Sequence, residues 1–131
     1  MSRKLISTGS PFEKGAGFSR AVVETTNEGT WCFVSGTTGY DYEAMSMPES
    51  VADQARNTIR TIANALAEAG LTLSDVVRAR YVIAKAEYRG DVFTVLGEAF
   101  GEIRPSATMI VAGLIEPEMK IEIDVTAFRP H

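Results

Sequence analysis

Along the chain the spacing of apolar positions changes several times, and each change marks an element. The stretch FSRAVVETT alternates, with Phe18, Arg20, Val22 and Glu24 on one side and Ser19, Ala21 and Val23 on the other. That pattern predicts a strand. Asn27 to Gly29 is a turn signal and TWCFVSG reads as the partner strand, so the two predict a hairpin. After the loop TTGYDYEAMSM, Ser46 followed three residues later by Glu49 has the pattern of a capping box. Pro48 fits a first helical turn, where its missing N–H has no intrahelical acceptor to lose. Val51, Ala55, Ile59, Ile62, Ala63 and Leu66 then recur at steps of three and four. Asp53, Arg56, Arg60, Asn64 and Glu68 lie opposite, and Gly70 ends the run. This predicts an amphipathic helix.

VVRARYVIA from Val76 predicts another strand, and Asp91 to Phe100 a shorter helix with Phe93, Leu96 and Phe100 as its buried stripe. IRPSATMIVAGL enters a strand through Arg104-Pro105, because proline biases the residue before it toward extended backbone. In MKIEIDVTAF, Met119, Ile121, Ile123, Val125 and Ala127 share one face; Lys120, Glu122, Asp124 and Thr126 share the other. The order strand, strand, helix, strand, helix, strand, strand predicts an α+β fold with both helices on one face of a mixed sheet. Two helices leave the second face uncovered, so it is either solvated or used in assembly.

Composition narrows the function more than the fold. At 131 residues one domain, 1–131, with a single core is expected, and roughly two thirds of the extended-chain surface can be buried. No run of 18 apolar residues occurs, and MSRKLISTGS lacks the apolar stretch of a secretory signal. Cys32 is the single cysteine, so no internal disulfide forms; these features lead to a cytoplasmic expectation. Thirteen basic against seventeen acidic residues give a net charge of −4, which counts against a nucleic-acid partner. The single histidine, His131, is the last residue. A Ser-His-Asp triad, a Cys-His pair and a His-rich metal site are therefore excluded, and a general base falls to Glu, Asp, Tyr or water. No stretch has metal-ligand spacing.

Glu122 and Asp124, two apart on a strand, either form a solvated face or place a carboxylate in a cleft, where burial or a partner tunes it for proton transfer. Arg104 either starts a strand with Pro105 or binds an anion. Cys32, within an apolar strand, reads as core. Arg78 with Arg80, and Arg56 with Arg60, read as charged surface rather than as a nucleic-acid footprint. The residues alone establish an α+β domain with a sheet face available for assembly.

Taken together, GFSRAV, FVSGTTG, the long helix, RPSATMIVAGL and MKIEIDVTA resemble the Rid family, the reactive imine/enamine deaminases also called YjgF-type or endoribonuclease L-PSP proteins. The resemblance runs from about Ser10 to Arg129. It implies a chorismate-mutase-like α+β fold and a homotrimer, whose bare sheet faces close into a central barrel and whose clefts lie between neighbouring subunits. It implies hydrolysis of a small imine or enamine without metal or cofactor; other members are reported as endoribonucleases or translation inhibitors, and some have no assigned activity. In the archetype an arginine two residues after the proline grips the substrate carboxylate, and a small or thiol residue follows two further on. Those positions are Ala107 and Met109 here, and the tyrosine of the family's G-x-Y-S stretch is Phe18. Ser35 and Glu122 are retained, and family precedent has this glutamate position or activate the attacking water. Arg20, on the same predicted strand face as Phe18, is the candidate replacement cation, or else a structural or inter-subunit ion pair. The resemblance leaves three functions open: a deaminase of a subgroup lacking the archetypal arginine, a non-catalytic small-molecule-binding trimer, and an endoribonuclease.

Overall fold

The computed structural model describes all 131 residues. Six strands, β1 (Ser2–Ile6), β2 (Ala21–Thr25), β3 (Gly29–Thr38), β4 (Val76–Ile83), β5 (Ser106–Val111) and β6 (Ile121–Pro130), form one sheet. Their order is β1-β2-β3-β6-β4-β5. Every neighbouring pair is antiparallel except β4 and β5. That parallel pair needs a crossover, and the helix between the two strands supplies it. The helices are α1 (Pro11–Ala16), α2 (Val51–Glu68) and α3 (Arg89–Phe100). No helix is long and apolar enough to cross a membrane.

The cross-strand register assigns the two faces. Ile6, Ala21, Val34, Val125, Ala79 and Ala107 form one row across all six strands. The first five are buried in the main core with Ile62 and Leu66 of α2 and Val92 and Val95 of α3. The next row, Leu5, Val22, Phe33, Thr126, Arg78 and Ser106, lies on the opposite face. Trp31 stacks on Phe33 and packs 4.5 Å from Phe128 there, and Leu5, Phe33 and Ile110 stay exposed. The uncovered face foreseen from the sequence thus carries an aromatic and aliphatic strip, beside the Arg80–Asp124 ion pair at 2.9 Å.

Five details differ from the sequence pattern. Arg104 takes a left-handed φ of 55° before Pro105 rather than extended backbone, as its N–H closes onto the Phe100 carbonyl at the end of α3. β1 and α1 were not anticipated: β1 buries only Ile6, so it has no alternation to read, and α1 is six residues long. The α2 cap is Ser50, whose Oγ accepts the Asp53 N–H, and not Ser46. The Ser46 carbonyl instead accepts the Asp41 N–H, and Asp41 Oδ1 takes the Glu43 and Ala44 amides, so the loop closes on itself first. α3 buries Val92, Val95 and Phe100, while Phe93 is 56% exposed and Leu96 half-buried. Its phase is set by the 3-10 turn at Ala86–Tyr88 that leads directly into it. β6 begins at Ile121 rather than Met119, which joins Tyr40 and Tyr42 in a separate small cluster.

Candidate functional site

The register between β3 and β6 slips once. Val34 faces Val125 and Thr37 faces Ile123, so Ser35 and Gly36 together oppose Asp124 alone. This is a β-bulge, a device that bends a strand and re-aims what lies beside it. Beside it, on the uncovered face, Glu122 extends over Gly36. A Cβ built on Gly36 would lie 2.8 Å from both Cδ and Oε1 of Glu122, so glycine is what allows the carboxylate to rest on the backbone. The two carboxylates of β6 have separate fates. Asp124 is held by Arg80, whereas Glu122 has no hydrogen-bond partner within the protomer. Burial pushes the Glu122 carboxyl above the usual carboxylate range; the Asp124 charge adds to this, and Arg80 and Arg20 oppose it.

The alternation grouped Arg20 with Phe18, Val22 and Glu24, and Arg20 does lie beside Phe18. It precedes β2 and is 1% exposed. Its Nη1 donates to the Gly36 carbonyl at 2.8 Å and to Thr37 Oγ1 at 3.0 Å, and its Nη2 lies 3.6 Å from Glu13 Oε2. The guanidinium carbon sits 4.6 Å from the Tyr42 ring centre and 5.6 Å from that of Phe18. Glu13, in α1, also accepts from both the N–H and Oγ1 of Thr8, and from Ser7 Oγ at 2.8 Å. Burial raises its pKa, but these bonds and the Arg20 charge outweigh burial and hold it low.

The remaining predicted residues divide between two places. Ser35 belongs to the bulge; its Oγ donates to the Ser19 carbonyl at 2.6 Å, which leaves its lone pairs free to accept. Phe18 is partly exposed beside Arg20. Ala107 and Met109 lie on the edge strand β5, in register with Ala79 and Tyr81 and therefore on the helix-covered face. One protomer consequently keeps Glu122, Ser35, Arg20 and Phe18 together and holds Ala107 and Met109 away from them. Cys32 is buried in the core, and its thiol is pushed up to about 11 by burial alone. No three His, Cys, Asp or Glu side chains converge on one point. A groove of about 380 Å³ lies elsewhere, between α2 and the loops at Ser7–Thr8 and Tyr40–Glu43. Among its lining residues Arg60 donates to Asn57, Asn57 to the Gly39 carbonyl, and Asp41 accepts its own turn's amides.

The profile of the family described as Endoribonuclease L-PSP matches residues 9–129. The chain belongs to this family. The structure of Rv2704 from Mycobacterium tuberculosis, described as a member of the YjgF/YER057c/UK114 family, is 38% identical with a TM-score of 0.86, covering 98% of this chain and 100% of that one. An uncharacterised Streptomyces coelicolor protein, SCO2049, is 30% identical over 125 residues, 95% of this chain and 90% of its own. The YjgF gene product of E. coli, at 23% identity and a TM-score of 0.82 over 96% and 98% of the two chains, shares the fold. The fold is thus the chorismate-mutase-like α+β arrangement of the YjgF, or Rid, family, with six strands in a mixed sheet.

Within this family member, the sequence singled out Glu122 and Ser35 as candidates but not the residues that pack against them. Gly36 carried a usable signal, since an isolated glycine inside a strand pattern marks a bulge or a close backbone approach. Glu13 and Tyr42 carried none, because each reaches Arg20 only through the tertiary fold.

Proposed function

We propose that the protein is a cofactor-independent hydrolytic deaminase of a small imine or enamine, working in clefts between subunits of a homotrimer. The observation that carries this reading is the unpaired Glu122 carboxylate, resting on a glycine bulge with its pKa raised. A carboxylate so tuned is a stronger base than an ordinary one, and it returns the proton readily. Water attacks the imine carbon while Glu122 takes one of its protons, and the C=N electron pair moves onto nitrogen. Protonated Glu122 then returns the proton to that nitrogen to give a carbinolamine. Glu122 next takes the carbinolamine's hydroxyl proton and passes it to the nitrogen, so the C–N bond breaks as the carbonyl forms and ammonia leaves. An enamine enters by tautomerising to its imine. The Ser35 hydroxyl, donating to Ser19, can accept a bond from the substrate N–H.

Two features support assembly. The partly exposed strip of Leu5, Val22, Phe33, Trp31 and Phe128 is the kind of apolar surface an interface covers. The separation of Ala107 and Met109 from Glu122 within a protomer fits a cleft to which a neighbour's β5 edge contributes. With alanine where the archetype has its carboxylate-gripping arginine, the substrate is assigned to the apolar rather than the amino-acid-derived imines. The same alanine favours a second reading, a trimer that binds such molecules without turning them over.

Gly36→Ala tests the catalytic reading. The added methyl meets the far end of a flexible side chain, so the fold survives and the Glu122 carboxylate is displaced. Assayed on carboxylate-free imines generated by an amine oxidase, the variant is expected to melt within a few degrees of wild type and to lose at least about tenfold in kcat. Wild type without turnover but with ligand-dependent thermal stabilisation selects the binding reading.

A further inference from the structure

We propose that Arg20 is a positioning residue for Glu122: it pins the bulge on which that carboxylate rests and supplies a buried positive charge behind it. The inference rests on the reading of Glu122 as general base, and it replaces the idea of Arg20 as a direct anion ligand.

Arg20 holds the bulge by two routes. Its main-chain carbonyl accepts the Ser35 N–H at 2.9 Å. Its guanidinium donates to the Gly36 carbonyl and to Thr37 Oγ1, and that hydroxyl donates on to the Ser35 carbonyl at 2.8 Å. Ser35, Gly36 and Thr37 are thereby each tied, directly or through one hydroxyl, to a single residue. Because Gly36 is the floor beneath Glu122, any shift of the bulge moves the catalytic carboxylate.

Stability alone does not account for an arginine here. Its Nε is buried without a hydrogen-bond partner, and its carboxylate partner stands 3.6 Å away. An unsatisfied buried donor is costly, and loosely paired buried charge is frequently less stable than an apolar replacement. What the site gains is a fixed cation that substrate and bulk water do not reach. The charged groups acting on Glu122 are Asp124 on its own strand, Arg80 on β4 and Arg20 before β2. Arg80 is held by Asp124 at 2.9 Å, so those two largely offset each other. Glu13 from α1, with the Tyr42 ring, faces Arg20 from its other side. Arg20 accordingly opposes the upward push of burial on the Glu122 carboxyl.

The test follows the Glu122 side-chain carboxyl by 13C NMR across pH, its signal assigned by its absence in Glu122→Gln. In Arg20→Met the Glu122 midpoint is expected to move to higher pH, and Arg20→Lys should return it toward wild type. The double variant Glu13→Gln/Arg20→Gln removes both charges together and so leaves no unpaired buried ion; it carries the same readout if Arg20→Met does not fold. Where imine turnover is measurable, the acid limb of the rate profile should move with the midpoint. kcat should fall about tenfold or more with KM little changed. An unchanged Glu122 midpoint in a folded variant lacking the Arg20 charge overturns the proposal. So does a rise confined to KM for anionic substrates, which marks direct ligand binding. If no imine is turned over, the deaminase reading fails, while the Glu122 midpoint still decides the role of Arg20.

Discussion

Glu122→Gln is expected to lower imine hydrolysis by about 10²–10⁴-fold, the usual contribution of a positioned general base. Glutamine preserves size and can still hold a water molecule, but it cannot take that water's proton or deliver it to the departing nitrogen. The loss should therefore fall on kcat, with KM little changed. The pH profile supplies a second check. Burial first, and Asp124 next, raise the Glu122 pKa, so the wild-type acid limb should lie above the ordinary carboxylate range and disappear from the residual activity of the variant. Stability should move the other way. A carboxyl whose folded-state pKa lies above its unfolded value stabilises fully below the unfolded pKa, and that stability is lost as pH rises through the folded one. Glutamine escapes this loss, so Glu122→Gln should melt higher than wild type at neutral pH, with the difference vanishing in acid. A variant both slower and more stable marks a residue kept for chemistry. A variant that is unstable and only slightly slower would identify Glu122 as structural.

Glu13→Ala should have the largest effect on stability. Glu13 and Arg20 have side chains only 6% and 1% exposed, and removing the carboxylate leaves Arg20 charged in the interior. Breaking a buried pair in this way costs about 3–5 kcal/mol. Because Arg20 keeps the Gly36 carbonyl, Thr37 and the Tyr42 ring, the lower end applies. For a chain of this size about 3 kcal/mol lowers the melting temperature by roughly 10 °C. The Ser7 and Thr8 contacts are lost at the same time, which loosens the segment joining β1 to α1. The pH dependence runs opposite to that of Glu122. The Glu13 pKa is depressed despite burial, so its contribution is present above the unfolded carboxyl pKa and fades as pH falls through the folded value. Melting curves of wild type and Glu13→Ala should converge in acid. A constant gap at all pH values would mean that packing, and not charge, is what Glu13 provides.

The parts of this architecture legible in the sequence are those written in local periodicity. The Ile121-Ile123-Val125-Ala127 alternation placed β6 and, with it, the outward direction of Glu122. The three-and-four spacing from Val51 to Leu66 placed α2. Where an element is short or its burial one-sided, the pattern failed. β1 buries one residue of five, and α1 makes fewer than two turns. Arg20 shows the deeper reason. Alternation grouped it with Phe18, Val22 and Glu24, but the chain ahead of β2 is covered by α1 and the Tyr42 loop, and Glu13, Gly36 and Tyr42 meet it from three separate parts of the fold. Such a cage has no period. The bulge likewise follows from a register slip between β3 and β6, a property of the pair rather than of either strand.

In the proposed mechanism the working site needs more than one protomer. Sedimentation velocity across a dilution series, with specific activity measured on the same samples, tests it most directly. A species of three times the 14.2 kDa protomer mass is expected at micromolar concentration, with turnover lost in step with its dissociation. A stable protomer that retains full specific activity would contradict it.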